Sequence, residues 1–155
     1  MPSGTHTVEL SIPNNSIWRF VSDMNRWAPL VPGYIEHEII TDEQSTWKFK
    51  GDLGKVKKTV HLRIDITEWR EPSKVTFDLT GLNEKFSGNG YFEAIAISEK
   101  KTKMVGHLEI SAAGVMKPVV NPILKTFVPK NVKELTEAVA EKIVNIESSL
   151  KVRAK

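Results

Sequence analysis

The residues that could do acid–base, nucleophilic or metal chemistry are thinly spread along this chain. The four histidines, His6, His37, His61 and His107, are scattered, and none has the helical spacing to a second ligand that metal sites use. The absence of cysteine excludes thiolate ligands, cysteine nucleophiles and disulfide scaffolds. No Gly-x-Ser-x-Gly elbow and no phosphate-binding loop occurs. The sequence therefore predicts no catalytic residue, metal ligand or cofactor.

Charged residues offer two weaker candidates for a functional surface. Glu36 and Glu38 share a strand face that we expect to be solvated, so they do not indicate a catalytic pair. Lysines concentrate in two predicted hairpins, where they either meet an anionic membrane surface or simply protect strand edges. They are Lys48, Lys50, Lys55, Lys57 and Lys58 in one hairpin, and Lys100, Lys101 and Lys103 in the other. A net charge of +3 is too low to indicate nucleic-acid binding.

Large apolar side chains are the best binding candidates. Small-molecule pockets are walled mainly by apolar and aromatic side chains with few polar groups. The alternative is that the same side chains fill an ordinary core. The candidate ligand-binding residues are Trp27, Trp47, Phe49, Phe77, Phe86, Phe92, Met116, Leu124 and Phe127.

Length and composition indicate one globular domain over residues 1–155. The chain is 40% hydrophobic and 26% charged, which suits a single domain that needs no disulfide or metal to fold. No apolar run approaches the roughly 18 residues of a membrane span. Residues 1–12 lack the basic start and apolar stretch of a signal peptide, so the cytoplasm is the expected compartment.

The first stretch of the chain is predicted to be a strand followed by two short helices. Residues 5–12 alternate between apolar and polar side chains, as a half-buried strand does. Asn14 or Asn15 is expected to cap a helix that begins at Ser16. A second short helix is predicted over residues 25–30, and Pro32-Gly33 indicates a turn.

The middle of the chain is predicted to form consecutive strands over 34–41, 45–51, 54–70, 73–81, 85–98 and 101–113. The breaks between them are too short for helical crossovers, so the sheet should be antiparallel. One face is apolar and the other polar. In 85–98 the two faces compete, which leaves a bulge or burial on both sides as alternatives.

The last stretch, 117–150, is predicted to be helical, with a polar tail over 150–155 that frays. Apolar residues recur every three or four positions, which places them on one stripe: Val119, Val120, Ile123, Leu124, Phe127, Val132, Leu135, Val139, Ile143, Ile146 and Leu150. Pro118 and Pro122 suit the first turns of a helix. Pro129 is expected to kink or interrupt the helix.

These elements predict a curled antiparallel sheet that grips one long helix. A helix is only about 10–12 Å wide, so it is too narrow to fill a broad concave face. Small residues in the sheet and beyond it leave two interpretations open, either space for a cavity or room for curvature and for the helix. They are Gly88, Gly90, Ala94, Ala96, Gly106, Ala112, Ala113 and Gly114.

Four short segments carry a family resemblance and together span nearly the whole chain. They are Ile17-Trp18-Arg19-Phe20-Val21-Ser22-Asp23, Val31-Pro32-Gly33, Gly88-Asn89-Gly90 and Ala113-Gly114. In order and spacing they resemble the START/Bet v 1-like (SRPBCC) superfamily, and most of all the group named after CoxG, the carbon monoxide dehydrogenase accessory protein. The three prolines of the last stretch depart from what the resemblance requires.

The resemblance implies an α+β helix-grip fold, in which a curved seven-stranded antiparallel sheet wraps around a long C-terminal helix and two short helices follow strand 1. It favours a non-enzymatic carrier of a hydrophobic small molecule, such as a lipid, a quinone or a polyketide-like compound. One alternative is an accessory protein that recruits a redox enzyme to the membrane, as CoxG implies. The other is a cyclase or hydratase working in the same cavity, although no catalytic residue can be matched.

Overall fold

One antiparallel sheet of seven strands carries the fold in the computed structural model, which describes residues 2–53, 56–82, 85–114 and 117–153. The strand order is β1-β7-β6-β5-β4-β3-β2, so the first strand closes against the last. The strands are β1 (Ser3–Leu10), β2 (Tyr34–Ile39), β3 (Gln44–Leu53), β4 (Val56–Arg70), β5 (Lys74–Gly81), β6 (Phe86–Ser98) and β7 (Lys101–Ala112). Short helices follow β1, and a long helix follows β7. This confirms the predicted helix-grip architecture.

The inner face of the sheet is apolar because alternate side chains along each strand point to the same side. Ile64 and Ile66 of β4 and Leu79 of β5 are buried there, and Arg63 is exposed on the opposite side. The register shifts between Ala96 and Ser98. That irregularity confirms the bulge alternative for the sixth strand.

The same strand, β6, buries only one of its two apolar sets. Ala94 is buried and Phe92 is half-buried on the inner face, whereas Ile95 and Ile97 are exposed. The hydrophobic residues on the exposed side therefore add nothing to the core. Because Ile95 and Ile97 lie exposed on the outer face, they are free to contact another molecule.

Three short helical segments link β1 to β2. They are α1 (Asn14–Val21), α2 (Met24–Trp27) and a 3-10 turn (Ala28–Leu30). The predicted asparagine cap is wrong, because α1 begins at Asn14 and Pro13 occupies the N-cap position without a side-chain hydrogen bond. The carbonyl of Pro13 instead accepts from the backbone N–H of Ser16. Its fixed φ of −62° suits the entry to the helix.

The long helix α3 (Lys117–Arg153) is continuous through Pro122 and Pro129. The interruption that Pro129 was expected to cause is therefore absent, and the helix extends past residue 150 to Arg153. One residue of the predicted stripe was misplaced, because Val119 is 57% exposed. The rest of the described stripe, Ile123 included, is buried or half-buried, as the spacing predicted.

Glycines let α3 approach the sheet closely. A Cβ added at Gly4 of β1 would lie 2.6 Å from Cα of Pro129, and one added at Gly106 of β7 would overlap Oγ1 of Thr136. The helix packs mainly on β1 and β7 and makes few contacts with β3. Gly106 thus makes room for the helix. The inner face of the central strands is left with little helical cover.

Candidate functional site

A cavity with two chambers occupies the space between α3, the short helical segments and the inner face of the sheet. The first chamber has a volume of about 90 Å³ and the second about 100 Å³, measured as the space that the centre of a water molecule can occupy. Since one water needs roughly 10–15 Å³ by this kind of measure, each chamber has room for several waters or part of an organic molecule. The sheet and helix therefore enclose a space much larger than a packing defect.

The two chambers share a wall, which makes them parts of one site. Six residues contact both of them: Trp27, Val75, Phe77, Leu108, Asn131 and Leu135. Five of these side chains are apolar, and the sixth is a neutral amide. The shared wall lies where α3 passes over β5 and β7. A ligand longer than one chamber would extend into the other chamber and would contact the residues of this shared wall.

The first chamber lies towards the C-terminal half of α3. Beyond the shared wall it is lined by Val21, Tyr91, Phe92, Gly106, His107, Val132, Thr136 and Val139. The rings of Tyr91 and His107 stack with centroids 5.0 Å apart, and His107 Nδ1 lies 2.7 Å from Oγ1 of the exposed Thr5. These two rings therefore lie on the outer face of the sheet. The interior of this chamber is mostly aliphatic.

The second chamber lies under β3 and β4. It is lined by Val31, Trp47, Phe49, Leu62, Ile64, Ile66, Leu79, Ile110 and Phe127, in addition to the shared wall. Every side chain in this set is apolar except for the indole N–H of Trp47. That group already donates to Ser45 Oγ at 2.8 Å. The second chamber thus offers an apolar ligand contact on almost every side.

Two tryptophans form one end of the cavity. The ring centroids of Trp27 and Trp47 are 5.1 Å apart, a separation at which aromatic rings attract one another. The indole N–H of Trp27 donates to the carbonyl of Val21 at 3.0 Å. Because both indole donors are already bonded within the protein, these residues present apolar surface to a ligand.

A polar cluster borders this end of the cavity. His37 Nδ1 lies 2.6 Å from the hydroxyl oxygen of Tyr34, and His37 Nε2 lies 2.7 Å from Oδ1 of Asn25. The His37 and Trp47 ring centroids are 5.8 Å apart. The cluster ties α2 to β2, and both ring nitrogens of His37 are engaged. Because both ring nitrogens are hydrogen-bonded, the geometry of His37 fits a structural role beside the cavity better than that of a free acid or base inside it.

The other histidines are separate from one another. His6 is on the inner face at the start of β1, and its Nε2 lies 3.3 Å from Oε1 of Glu137 on α3. His61 is on the outer face of β4, where Glu36 also pairs with Lys48 at 3.2 Å. In the described ranges, no three His, Asp, Glu or Cys side chains form a group that could hold a metal ion.

Six of the nine candidate ligand-binding residues line the cavity: Trp27, Trp47, Phe49, Phe77, Phe92 and Phe127. Phe86 and Leu124 contact neither chamber and pack in the core instead. Met116 lies outside the described residues. Whether any of the nine binds a ligand stays a prediction.

The aromatic pattern missed the aliphatic walls and two polar residues, Asn131 and Thr136. Asn131 lies four residues after Phe127 and four before Leu135, so the three share one helix face. A polar residue in the middle of an apolar stripe was the signal that could have identified it. Leu135 and Leu108 carried no comparable signal, because their spacing fits a core residue equally well.

Among the described residues, no helix is long and apolar enough to cross a membrane.

The comparisons with known proteins agree with this geometry. A protein-family model matches residues 1–146, nearly the whole chain. No curated protein matches the sequence. A START superfamily protein from Mycobacterium smegmatis superimposes with a TM-score of 0.74 at 14% identity, over 93% of this chain and 98% of that one.

Two solved enzymes share the fold. The ZhuI aromatase/cyclase from Streptomyces sp. R1128 superimposes with a TM-score of 0.69 at 17% identity, over 91% of this chain and 92% of that one. A point mutant of norcoclaurine synthase from Thalictrum flavum, in complex with a transition-state analogue, gives 0.68 at 13% identity, over 94% and 95%. At these identities the likeness establishes the fold alone.

Proposed function

We propose that this chain, which shares its fold with a START superfamily protein, binds and carries a hydrophobic small molecule in its two-chamber cavity. The observation that supports this proposal is the composition of the walls. Nearly every lining side chain is apolar, and the few polar donors at the Trp27 end are bonded within the protein. Such walls offer burial as the main source of affinity, at roughly 25 cal/mol per Å² of apolar surface.

Carriage fits the lining better than catalysis does. A cyclase or synthase would need a positioned acid, base or charge next to the reacting atoms. The titratable side chains among the described lining residues are Tyr91 and His107, whose rings stack on one another at the outer face. The enzyme alternative, which two structural neighbours favour, would have to use neutral groups such as Asn131 or Thr136.

We expect protein purified without detergent to retain an apolar molecule. Native mass spectrometry should show a species heavier than the bare chain, and organic extraction should release a compound for identification. A lipid, a quinone and a polyketide-like compound are the outcomes that support carriage. Conversion of an extracted compound into a new product by the purified protein would support the enzyme alternative instead.

A larger side chain at the place where the chambers meet should weaken binding. Leu135→Trp puts an indole where the chambers meet, so it should weaken binding of the neutral fluorophore N-phenyl-1-naphthylamine at least about tenfold, or roughly 1.4 kcal/mol. Fluorescence titration measures the affinity, and a thermal melt checks folding. Val144→Trp is the matched control, because Val144 is on the same helix and 40% exposed. Unchanged affinity in folded Leu135→Trp would contradict the cavity as the binding site.

A second proposal concerns delivery at a membrane, which the CoxG resemblance implies together with a redox-enzyme partner. The outer face of the β6–β7 hairpin combines two exposed apolar residues, Ile95 (40% exposed) and Ile97 (50% exposed), with Lys103, which pairs with Ile95 in the sheet register. Apolar side chains beside cationic ones suit an anionic lipid surface. Delivery of a ligand requires only transient contact between this hairpin and the membrane surface.

Co-sedimentation with vesicles tests this second proposal. The wild-type protein should pellet with phosphatidylglycerol-containing vesicles more than with phosphatidylcholine vesicles. The double variant Ile95→Ser/Ile97→Ser should lose most of that binding, whereas Leu82→Ser, at an exposed apolar position on another turn, should retain it. Equal pelleting of all three proteins would count against a role for the hairpin.

A further inference from the structure

We propose that the ligand of this cavity is a neutral molecule with one hydroxyl or carbonyl oxygen between two apolar parts, and that Asn131 binds this oxygen where the two chambers meet. The inference rests on the proposed function and deepens it, because it names the chemical class of the ligand. It also assigns a role to a residue that the aromatic pattern did not indicate.

The position of Asn131 supports the first step. It lines both chambers, and the other residues of the shared wall are apolar. A group held by this amide would therefore have apolar surroundings on either side. A purely apolar ligand that covered the amide would displace its water without replacing the hydrogen bond, which typically costs about 1–3 kcal/mol.

The hydrogen bonds of Asn131 support the second step. Within the described part of the chain, its side chain makes no hydrogen bond to another residue. Two other asparagines show the contrast: Asn121 Oδ1 accepts from the backbone N–H of Ala112 at 2.8 Å, and Asn25 Oδ1 lies 2.7 Å from His37 Nε2. The half-buried Asn131 amide thus keeps a donor and an acceptor free for a ligand.

The charge of the walls supports the third step. No Asp, Glu, Lys or Arg is among the described residues that line the two chambers. An ionised ligand group would lose its hydration there without gaining a counter-charge, which is far more costly than burying a neutral oxygen. A neutral hydroxyl or carbonyl therefore fits, and a carboxylate or phosphate in the interior does not.

Thr136 is the competing polar group. Its side chain also lines the first chamber, at the close approach of α3 to Gly106. It contacts only one chamber, whereas Asn131 contacts both. A ligand oxygen at Thr136 would lie to one side of the cavity. The two residues can be separated by experiment because each has a substitute of similar shape without the hydrogen-bonding group.

The test compares two ligands of nearly equal shape, naphthalene and 2-naphthol, by isothermal titration calorimetry. The measured quantity is the ratio of their dissociation constants. We expect Asn131→Leu to shift that ratio against 2-naphthol by about two- to twelvefold, the range given by a net hydrogen bond of about 0.5–1.5 kcal/mol. Naphthalene itself should bind as well as before or better, because the new side chain is apolar.

Two controls accompany this variant. Asn145→Leu makes the same change at an exposed position of α3 and should leave the ratio unchanged. Thr136→Val should also leave it nearly unchanged, and a larger shift there than in Asn131→Leu would overturn the assignment. An unchanged ratio in folded Asn131→Leu, with both compounds still bound, contradicts this inference and leaves carriage intact. Binding of neither compound to the wild type contradicts the proposed function as well.

Discussion

Gly33→Ala should lower the free energy of unfolding by at least about 3 kcal/mol, among the largest effects of a single methyl group in this protein. Gly33 has a φ of +80°, which costs an L side chain roughly 1–2 kcal/mol. The added Cβ would also overlap the carbonyl oxygen of Lys50, whose own N–H donates to the Gly33 carbonyl at 2.7 Å. The overlap involves backbone, so relieving it must shift β3 against the turn.

Gly114→Ala is the matched control. Gly114 has nearly the same φ, +81°, but the nearest atom to its added Cβ is Cδ of Lys85 at 3.5 Å. Only the backbone conformation should then be penalised, by roughly 1–2 kcal/mol. Urea unfolding followed by circular dichroism gives both values. Equal losses in the two variants would show that the contact with Lys50 is not what holds the turn.

Trp47→Ala should cost about 3–5 kcal/mol, the usual range for removing a buried aromatic side chain. Trp47 is 5% exposed and packs against Trp27, so its loss opens the wall of the second chamber. It also removes the donor that bonds Ser45 Oγ, and Ser45 is fully buried. A buried oxygen left with a poorer partner adds to the penalty.

Trp47→Phe separates these contributions. Phenylalanine keeps most of the apolar contact with Trp27 but cannot donate to Ser45. Its cost should be about 1–2 kcal/mol, mainly the lost hydrogen bond. Both variants are best measured by circular dichroism, since each removes a fluorescent residue. A loss below about 1 kcal/mol in Trp47→Ala would mean that this side chain is not part of the packed wall.

The sequence predicted the sheet well because alternation reports which side of a strand is buried. The run from Val60 to Ile66 reads directly as an inner and an outer face, and the short breaks between strands excluded parallel pairing. The prediction was weaker at the ends of helices and strands. Pro13 follows β1 and also initiates α1, and nothing in the local pattern indicates that it displaces Asn14 from the cap.

The small residues and the cavity were harder to predict, since both depend on contacts between distant segments. The small residues left two interpretations open, a cavity or room for curvature and for the helix. A Cβ at Gly90 would lie 2.8 Å from the Phe77 ring, and Gly106 accommodates the helix. The space lies next to Phe77, which was a candidate ligand-binding residue, and next to Leu108, whose spacing fits a core residue equally well. The alternation along a strand shows which side chains point inward, but it does not show how far they lie from the helices that cover the sheet.

The pairing of β1 with β7 also shapes how this protein is made. Thr5 and His107, which lie opposite one another in the sheet, are 102 residues apart in the chain. Contacts of such high sequence separation slow folding, because a long loop must close before they form. During synthesis β1 emerges first, yet its partner strand is among the last to appear. Because α3 packs mainly on β1 and β7, the ligand cavity acquires its helical wall only after the two ends of the domain have met.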